Sequence, residues 1–201
     1  MPAPVEEPSS DGVALRRGVA LERITLAWNV VGVAVLGVAA IEARSVALAG
    51  FGLDSLVEIG ASTVVLWELN DTDKMRRTSS LRLIGVAFIS LSLYVAVQST
   101  VVLLTGYHPK HSLLGIGWTA LTAMVMFALA AGKARVGREL GNPVLLLEGR
   151  VTFVDGLLAT AVLIGLVLNA TLHAWWADPL AGYVIVFYGL KEFITIFSGH
   201  E

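Results

Sequence analysis

The sequence predicts an all-α integral membrane protein with six transmembrane helices and both termini in the cytoplasm. Hydrophobic residues make up 56% of the 201 residues and only 15% are charged, against about 25% in soluble domains. Stretches without charge recur along the chain, each close to the roughly 20 residues that one membrane-crossing helix needs. The chain contains no Cys, which excludes disulfides and thiolate metal sites.

The first three predicted helices lie in the amino-terminal half. Eighteen uncharged residues between Arg23 and Glu42 form the first. The second, at about 45–67, is interrupted by Asp54 and Glu58, and the third covers about 83–107. The third has no charged face along its length, and a surface helix of a soluble bundle needs such a face.

The last three predicted helices follow with short connections. The fourth fills the 21 uncharged residues between His111 and Lys133. The fifth, at about 144–170, contains Glu148, Arg150, Thr152 and Asp155, and the sixth, at about 175–197, has Asp178 in its first turn, where we expect a helix cap.

The polar segment 1–21 contains several Pro and Ser residues and lacks a signal-peptide pattern. We expect it to be a disordered cytoplasmic arm, followed by one transmembrane domain over 22–197 and no carboxy-terminal cytoplasmic domain. Basic residues set the predicted orientation, because cytoplasmic loops are enriched in Lys and Arg. Two basic residues, Arg44 and Lys110, fall on the outer side, and eleven fall on the inner side: Arg16, Arg17, Arg23, Lys74, Arg76, Arg77, Arg82, Lys133, Arg135, Arg138 and Lys191.

Three acids lie deep in the predicted spans. Asp54 and Glu58 are four residues apart and share one helix face. At 1.5 Å per residue, they lie about 14 and 20 Å from the start of their span, and Asp155 about 16 Å. All three therefore approach the middle of a hydrocarbon core about 30 Å thick. Glu148 and Thr152 lie on the same stripe of the fifth helix as Asp155, with Glu148 nearest the cytoplasm.

The buried acids need compensation, because a charged carboxylate at the bilayer centre costs about 2.5–3.5 kcal/mol. Arg150 is the only basic residue predicted within a span. At least two acids must then carry protons or bind a cation from outside. This pattern favours an oxygen-ligand site for a divalent cation that also exchanges protons, with structural polar contacts between helices as the alternative.

Three segments resemble the cation diffusion facilitator family. They are SVALAGFGLDSLVEIGAS, EGRVTFVDGLLATAVLIG and WWADPLAGYVIVFYGLKE, which are similar to that family's second, fifth and sixth helices. The resemblance covers about residues 16–197. It implies a six-helix homodimer that exports a divalent metal from the cytoplasm in exchange for protons. It also implies a metal site at Asp54, Glu58 and Asp155.

Val151 stands where the family usually has a His ligand. Thr152 or Glu148 is expected to compensate, and the metal is left open among zinc, iron, manganese and cobalt. We therefore expect a proton-coupled antiporter in a bacterial cytoplasmic membrane, whose partners are a divalent metal as substrate, protons and lipid. We expect no permanently bound cofactor, no nucleic acid and no enzymatic activity, because no basic run or catalytic motif is present. The alternative is a non-transporting membrane scaffold or a degenerate metal-binding relative.

Overall fold

The structure is a computed structural model that describes residues 10–70 and 74–198. All six predicted helices are present, and no strand occurs in those two ranges. The helices are α1 (Ser10–Ala43), α2 (Val46–Asn70), α3 (Lys74–Thr105), α4 (Leu113–Glu139), α5 (Pro143–Leu172) and α6 (Ala177–Ser198).

The predicted arm is shorter than the sequence suggested. Helix α1 begins at Ser10, so residues 10–21 are helical, whereas 1–9 lie outside the described residues. The physical reason is burial in this extension: Ala14 is buried against Val136 of α4 and Leu145 of α5, and tertiary packing overrides weak local preference.

Two of the connections between helices contain a glycine in a left-handed conformation. Gly106 and Gly141 adopt φ values of +64° and +59°, a left-handed conformation that Gly reaches without a Cβ penalty. Asn142 then accepts a hydrogen bond from Leu145 N at 3.1 Å. This side chain caps the start of α5, where Pro143 occupies the first turn.

The helices associate mainly as three pairs: α1 with α2, α3 with α6, and α4 with α5. Helices α4 and α5 approach closely at Gly149, where a Cβ would lie 3.1 Å from Ala134 N. Phe51 and Ile185 are each 1% exposed in the apolar core between the pairs. The two ends of the bundle differ in their connections. The α5–α6 end carries the α1–α2, α3–α4 and α5–α6 connections, and the α4–α5 end carries the remaining two.

The distribution of side chains is that of a membrane protein. Large apolar side chains point outwards, including Leu104 and Leu113, each 83% exposed, and soluble proteins rarely expose contiguous apolar surface of this kind. Among the residues that the structure describes, four helical segments are long and apolar enough to cross a membrane: Gly12–Ala43, Val46–Thr63, Leu113–Glu139 and Leu145–Leu172. A shorter apolar segment covers Ile89–Thr105.

Asp178 does not cap its own helix as the sequence suggested. Its carboxylate accepts hydrogen bonds from Ser45 Oγ and from the backbone N of Val46 at 3.0 Å and Ala47 at 3.4 Å. The two backbone donors have no partner within α2 because they belong to its first turn. The side chain therefore caps α2 from α6 and ties the two helices together at the α5–α6 end.

Replacing Asp178 with Ala should destabilise the protein by about 2–3 kcal/mol, because buried amide and hydroxyl donors would lose their acceptor. Asp178→Asn keeps one acceptor oxygen and should show a smaller loss. The stability of both variants is measured by heating the protein in detergent and determining the fraction that remains monodisperse at each temperature. An Asp178→Ala protein as stable as the parent would show that α2 does not depend on this cap.

Candidate metal centre

Three buried acids from two helices line one small cavity inside the bundle. Asp54 and Glu58 come from α2, and Asp155 comes from α5. The cavity has a volume of about 20 Å³, enough for about one water-sized occupant. Its other lining residues are Val151, Val154, Leu158, Tyr188 and Gly189.

The three acids are nearly inaccessible from outside. Asp54 and Asp155 are each 4% exposed and Glu58 is 3% exposed. The three carboxyl groups line the same cavity of about 20 Å³. Like charges this close repel each other in a low-dielectric interior. The site therefore favours a bound proton or a cation over a set of bare carboxylates.

The acids do not surround a common point as closely as a metal requires. Within residues 10–70 and 74–198, no group of three or more His, Cys, Asp or Glu side chains is placed to hold one metal ion. Ligation by Asp54, Glu58 and Asp155 together therefore needs the helices to draw these carboxylates closer. Val151, at the position where His was expected from the resemblance, lines the same cavity with an apolar side chain.

The structure places the two predicted auxiliary ligands in a different cluster. Lys133 Nζ donates hydrogen bonds to Thr152 Oγ1 at 3.0 Å and to Glu148 Oε1 at 3.2 Å. It also contacts Glu22 Oε2 at 3.1 Å. The cluster joins α1, α4 and α5, and its ion pairs are shielded from solvent: the side chains of Lys133 and Glu22 are 0% exposed, and that of Glu148 is 5% exposed.

The expectation that Arg150 is the only basic residue within a span is therefore wrong, because Lys133 lies inside the apolar segment Leu113–Glu139. Helix α4 continues to Glu139, so Lys133 lies a turn and a half inside the helix. Arg150, by contrast, is exposed. Sequence reasoning missed Lys133 because it stands at the edge of an apolar run, where a basic residue usually marks the membrane interface. The available signal was the presence of Glu22 and Glu148 at a similar depth in neighbouring helices.

Two histidines from separate connections meet at the α5–α6 end. The rings of His111 and His173 lie 5.5 Å apart, centroid to centroid. Both side chains are exposed, and neither lines the cavity that contains the three acids. No third metal-ligating side chain joins them in the part of the chain that the structure describes. These imidazoles therefore add nothing to the cavity site.

The all-helical fold, its long apolar segments and its outward apolar side chains together define an α-helical membrane protein. No family model matches the chain. The chain is 24% identical over 151 residues to a Xenopus laevis protein named Transmembrane protein 163. The aligned region covers 71% of this chain and 54% of that protein, so the chain spans about half the length of this relative. The similarity agrees with the apolar helices in placing the chain among membrane proteins.

Proposed function

We propose that the protein is a proton-coupled antiporter that exports a divalent metal cation from the cytoplasm through Asp54, Glu58 and Asp155. The observation that carries this proposal is the excess of buried acid. Among the side chains that the structure describes, six carboxyl groups and a single amine are buried: Glu22, Asp54, Glu58, Glu148, Asp155 and Asp178 against Lys133.

The excess of acid explains the coupling between metal and protons. Lys133 contacts Glu22 and Glu148. Among the ion pairs of the described residues, none includes Glu58 or Asp155. Intramembrane acids of this kind mark ion pathways and proton relays. A carboxylate holds either a proton or a metal ion, so the two cations exchange at the same oxygens.

The chain's residues divide the transport cycle between them. In the inward-facing state, the carboxylates of α2 and α5 lose their protons and bind the metal. Rearrangement of the helix pairs then exposes the cavity to the other side. Protons from outside neutralise the same carboxylates and release the metal. Val151 offers no nitrogen ligand, so the site consists of carboxylate oxygens. Of the four candidate metals zinc, iron, manganese and cobalt, such a site suits Mn²⁺ better than Zn²⁺.

The proposal includes the six-crossing topology with both termini in the cytoplasm of a bacterial cell. The strong excess of Lys and Arg on one side supports this orientation. It also includes a homodimer. The outward apolar surfaces of α3 and α6, which carry Leu93, Val97 and Phe187, support a dimer contact within the membrane.

The test is metal-dependent proton movement in liposomes that contain the purified protein and a pH-sensitive dye inside. Mn²⁺, Fe²⁺, Co²⁺ and Zn²⁺ are added in turn to the parent protein and to Asp54→Ala. We expect a proton flux with at least one metal and its loss in the variant. Absence of flux with all four metals, from folded and inserted protein, would overturn the antiporter proposal.

A non-transporting scaffold is the second candidate, and one observation favours it. No three metal-ligating side chains are gathered around one point in the described ranges. A scaffold would show no proton flux with any metal, and its Asp54→Ala variant would behave as the parent protein does.

A further inference from the structure

The Lys133 cluster lies between the cavity and one end of the bundle. Glu148 precedes Asp155 by seven residues on α5, which is about 10 Å along the axis and two helical turns. The two acids therefore lie on similar faces, with Glu148 nearer the α4–α5 end. A cation that enters from this end meets Glu148 before it reaches the cavity.

The Lys133 ammonium lies among three oxygen atoms, in the position that a bound metal ion would take. Glu22 Oε2, Glu148 Oε1 and Thr152 Oγ1 surround Nζ at 3.0–3.2 Å. These three oxygens come from two helices other than α4, and all three residues are buried. Small shifts of the carboxylates would bring the same oxygens to about 2.0–2.6 Å, the distance of hard divalent cations from their ligands.

The charge in this cluster is not balanced by lysine. Two carboxylates oppose one ammonium, and Glu22 Oε1 is buried without a hydrogen-bond partner. Such an acceptor is unfavourable, because it has lost its contact with water and has gained no donor in exchange. A divalent cation would neutralise both carboxylates and would give Glu22 Oε1 a ligand role. The oxygen set therefore matches a divalent cation better than the single charge of Lys133.

We propose that Glu22, Glu148 and Thr152 form a second divalent-cation site on the route to the cavity. When no metal is present, the Lys133 ammonium occupies this second site as a tethered competitor. An arriving metal ion displaces the ammonium, is held briefly and passes to the deeper acids. The role as a waypoint rests on the proposed transport function. The site itself depends only on the contacts around Lys133.

The experiment measures metal binding in a protein whose cavity site has been removed. The full chain with Asp54→Asn and Asp155→Asn is purified in nanodiscs, and Lys133→Ala and Lys133→Arg are added to it separately. Equilibrium dialysis with Mn²⁺ gives the stoichiometry and the affinity. We expect Lys133→Ala to bind one Mn²⁺ per chain at least tenfold more tightly than the Lys133 protein. Lys133→Arg, which keeps the competing charge, should bind no more tightly than the Lys133 protein.

The matched control adds Glu22→Gln and Glu148→Gln to the Lys133→Ala chain, and it should lose the gained binding. Persistence of tight binding in this control, or equal affinities with and without Lys133, would overturn the proposal. If Lys133→Ala does not fold, Lys133→Gln removes the charge but keeps a hydrogen-bond donor, and the same comparison applies. The outcome is independent of the liposome flux, because this background lacks two of the three cavity acids and is not assayed for transport.

Discussion

Asp155→Asn should abolish metal-dependent proton movement in liposomes, with a loss of at least about 100-fold, the scale on which a positioned proton-transfer group acts. Asn has the size of Asp and fits the same buried position on α5, but it cannot carry a negative charge or exchange a proton. The cavity would lose one of its three carboxylates. A charge-assisted contact is about twice as strong as a neutral one, so Asn would hold the metal less tightly than Asp. Loss of the titrating group would also remove the coupling between metal and proton movement.

The matched control for this prediction is Asp178→Asn. It makes the same chemical change at another buried acid, but Asp178 caps α2 at the α5–α6 end and does not line the cavity. We expect this control to lose some thermal stability and to keep its proton flux once folded. Parent-level flux in Asp155→Asn would remove this residue from the transport site.

Lys133→Met should lower the free energy of unfolding by about 3–5 kcal/mol, the usual cost of leaving buried charges without their partner. Met has a similar length and is apolar, so the change removes the ammonium while largely filling its space. Glu22 and Glu148 would then face each other without a cation. Denaturant or thermal unfolding in detergent micelles measures the loss.

A triple variant separates charge from packing. Glu22→Gln, Lys133→Met and Glu148→Gln together remove all three charges, and this protein should recover most of the lost stability, because replacement of a whole buried ion cluster is often close to neutral. If Lys133→Met is as stable as the parent protein, the ion pairs at 3.1 and 3.2 Å contribute nothing measurable to the fold.

Much of the architecture was predictable because hydropathy acts locally along the chain. The position of each helix follows from its apolar stretch. All six helices are confirmed within a few residues, apart from the long extensions of α1 and α3 at their amino-terminal ends and of α4 at its carboxy-terminal end. Four of the six meet the length and composition of a membrane crossing. The spacing of Asp54 and Glu58 places them on one face of α2, and both line the cavity with Asp155.

The remaining features depend on contacts between helices, which spacing along the chain does not encode. Lys133 and Glu22 are 111 residues apart, and the partnership arises only because α1 packs against α4. The cap from Asp178 to α2 spans more than 130 residues. Local rules assign such a residue to its own helix, because a first-turn acid before Pro is a common cap. The contacts of Glu148 and Thr152 with Lys133 also lie beyond local rules, because Lys133 belongs to another helix.

The acidic cavity lies where one member of each helix pair meets the other two, since α2, α5 and α6 all contribute to its wall. Any displacement of one pair against another therefore alters the cavity. By thermodynamic reciprocity, an occupant that prefers one arrangement of the pairs must shift the population towards it, by an amount equal to its preference. A spectroscopic label on the outer surface of one helix pair would then detect, through the displacement of that pair, whether the acidic cavity is occupied.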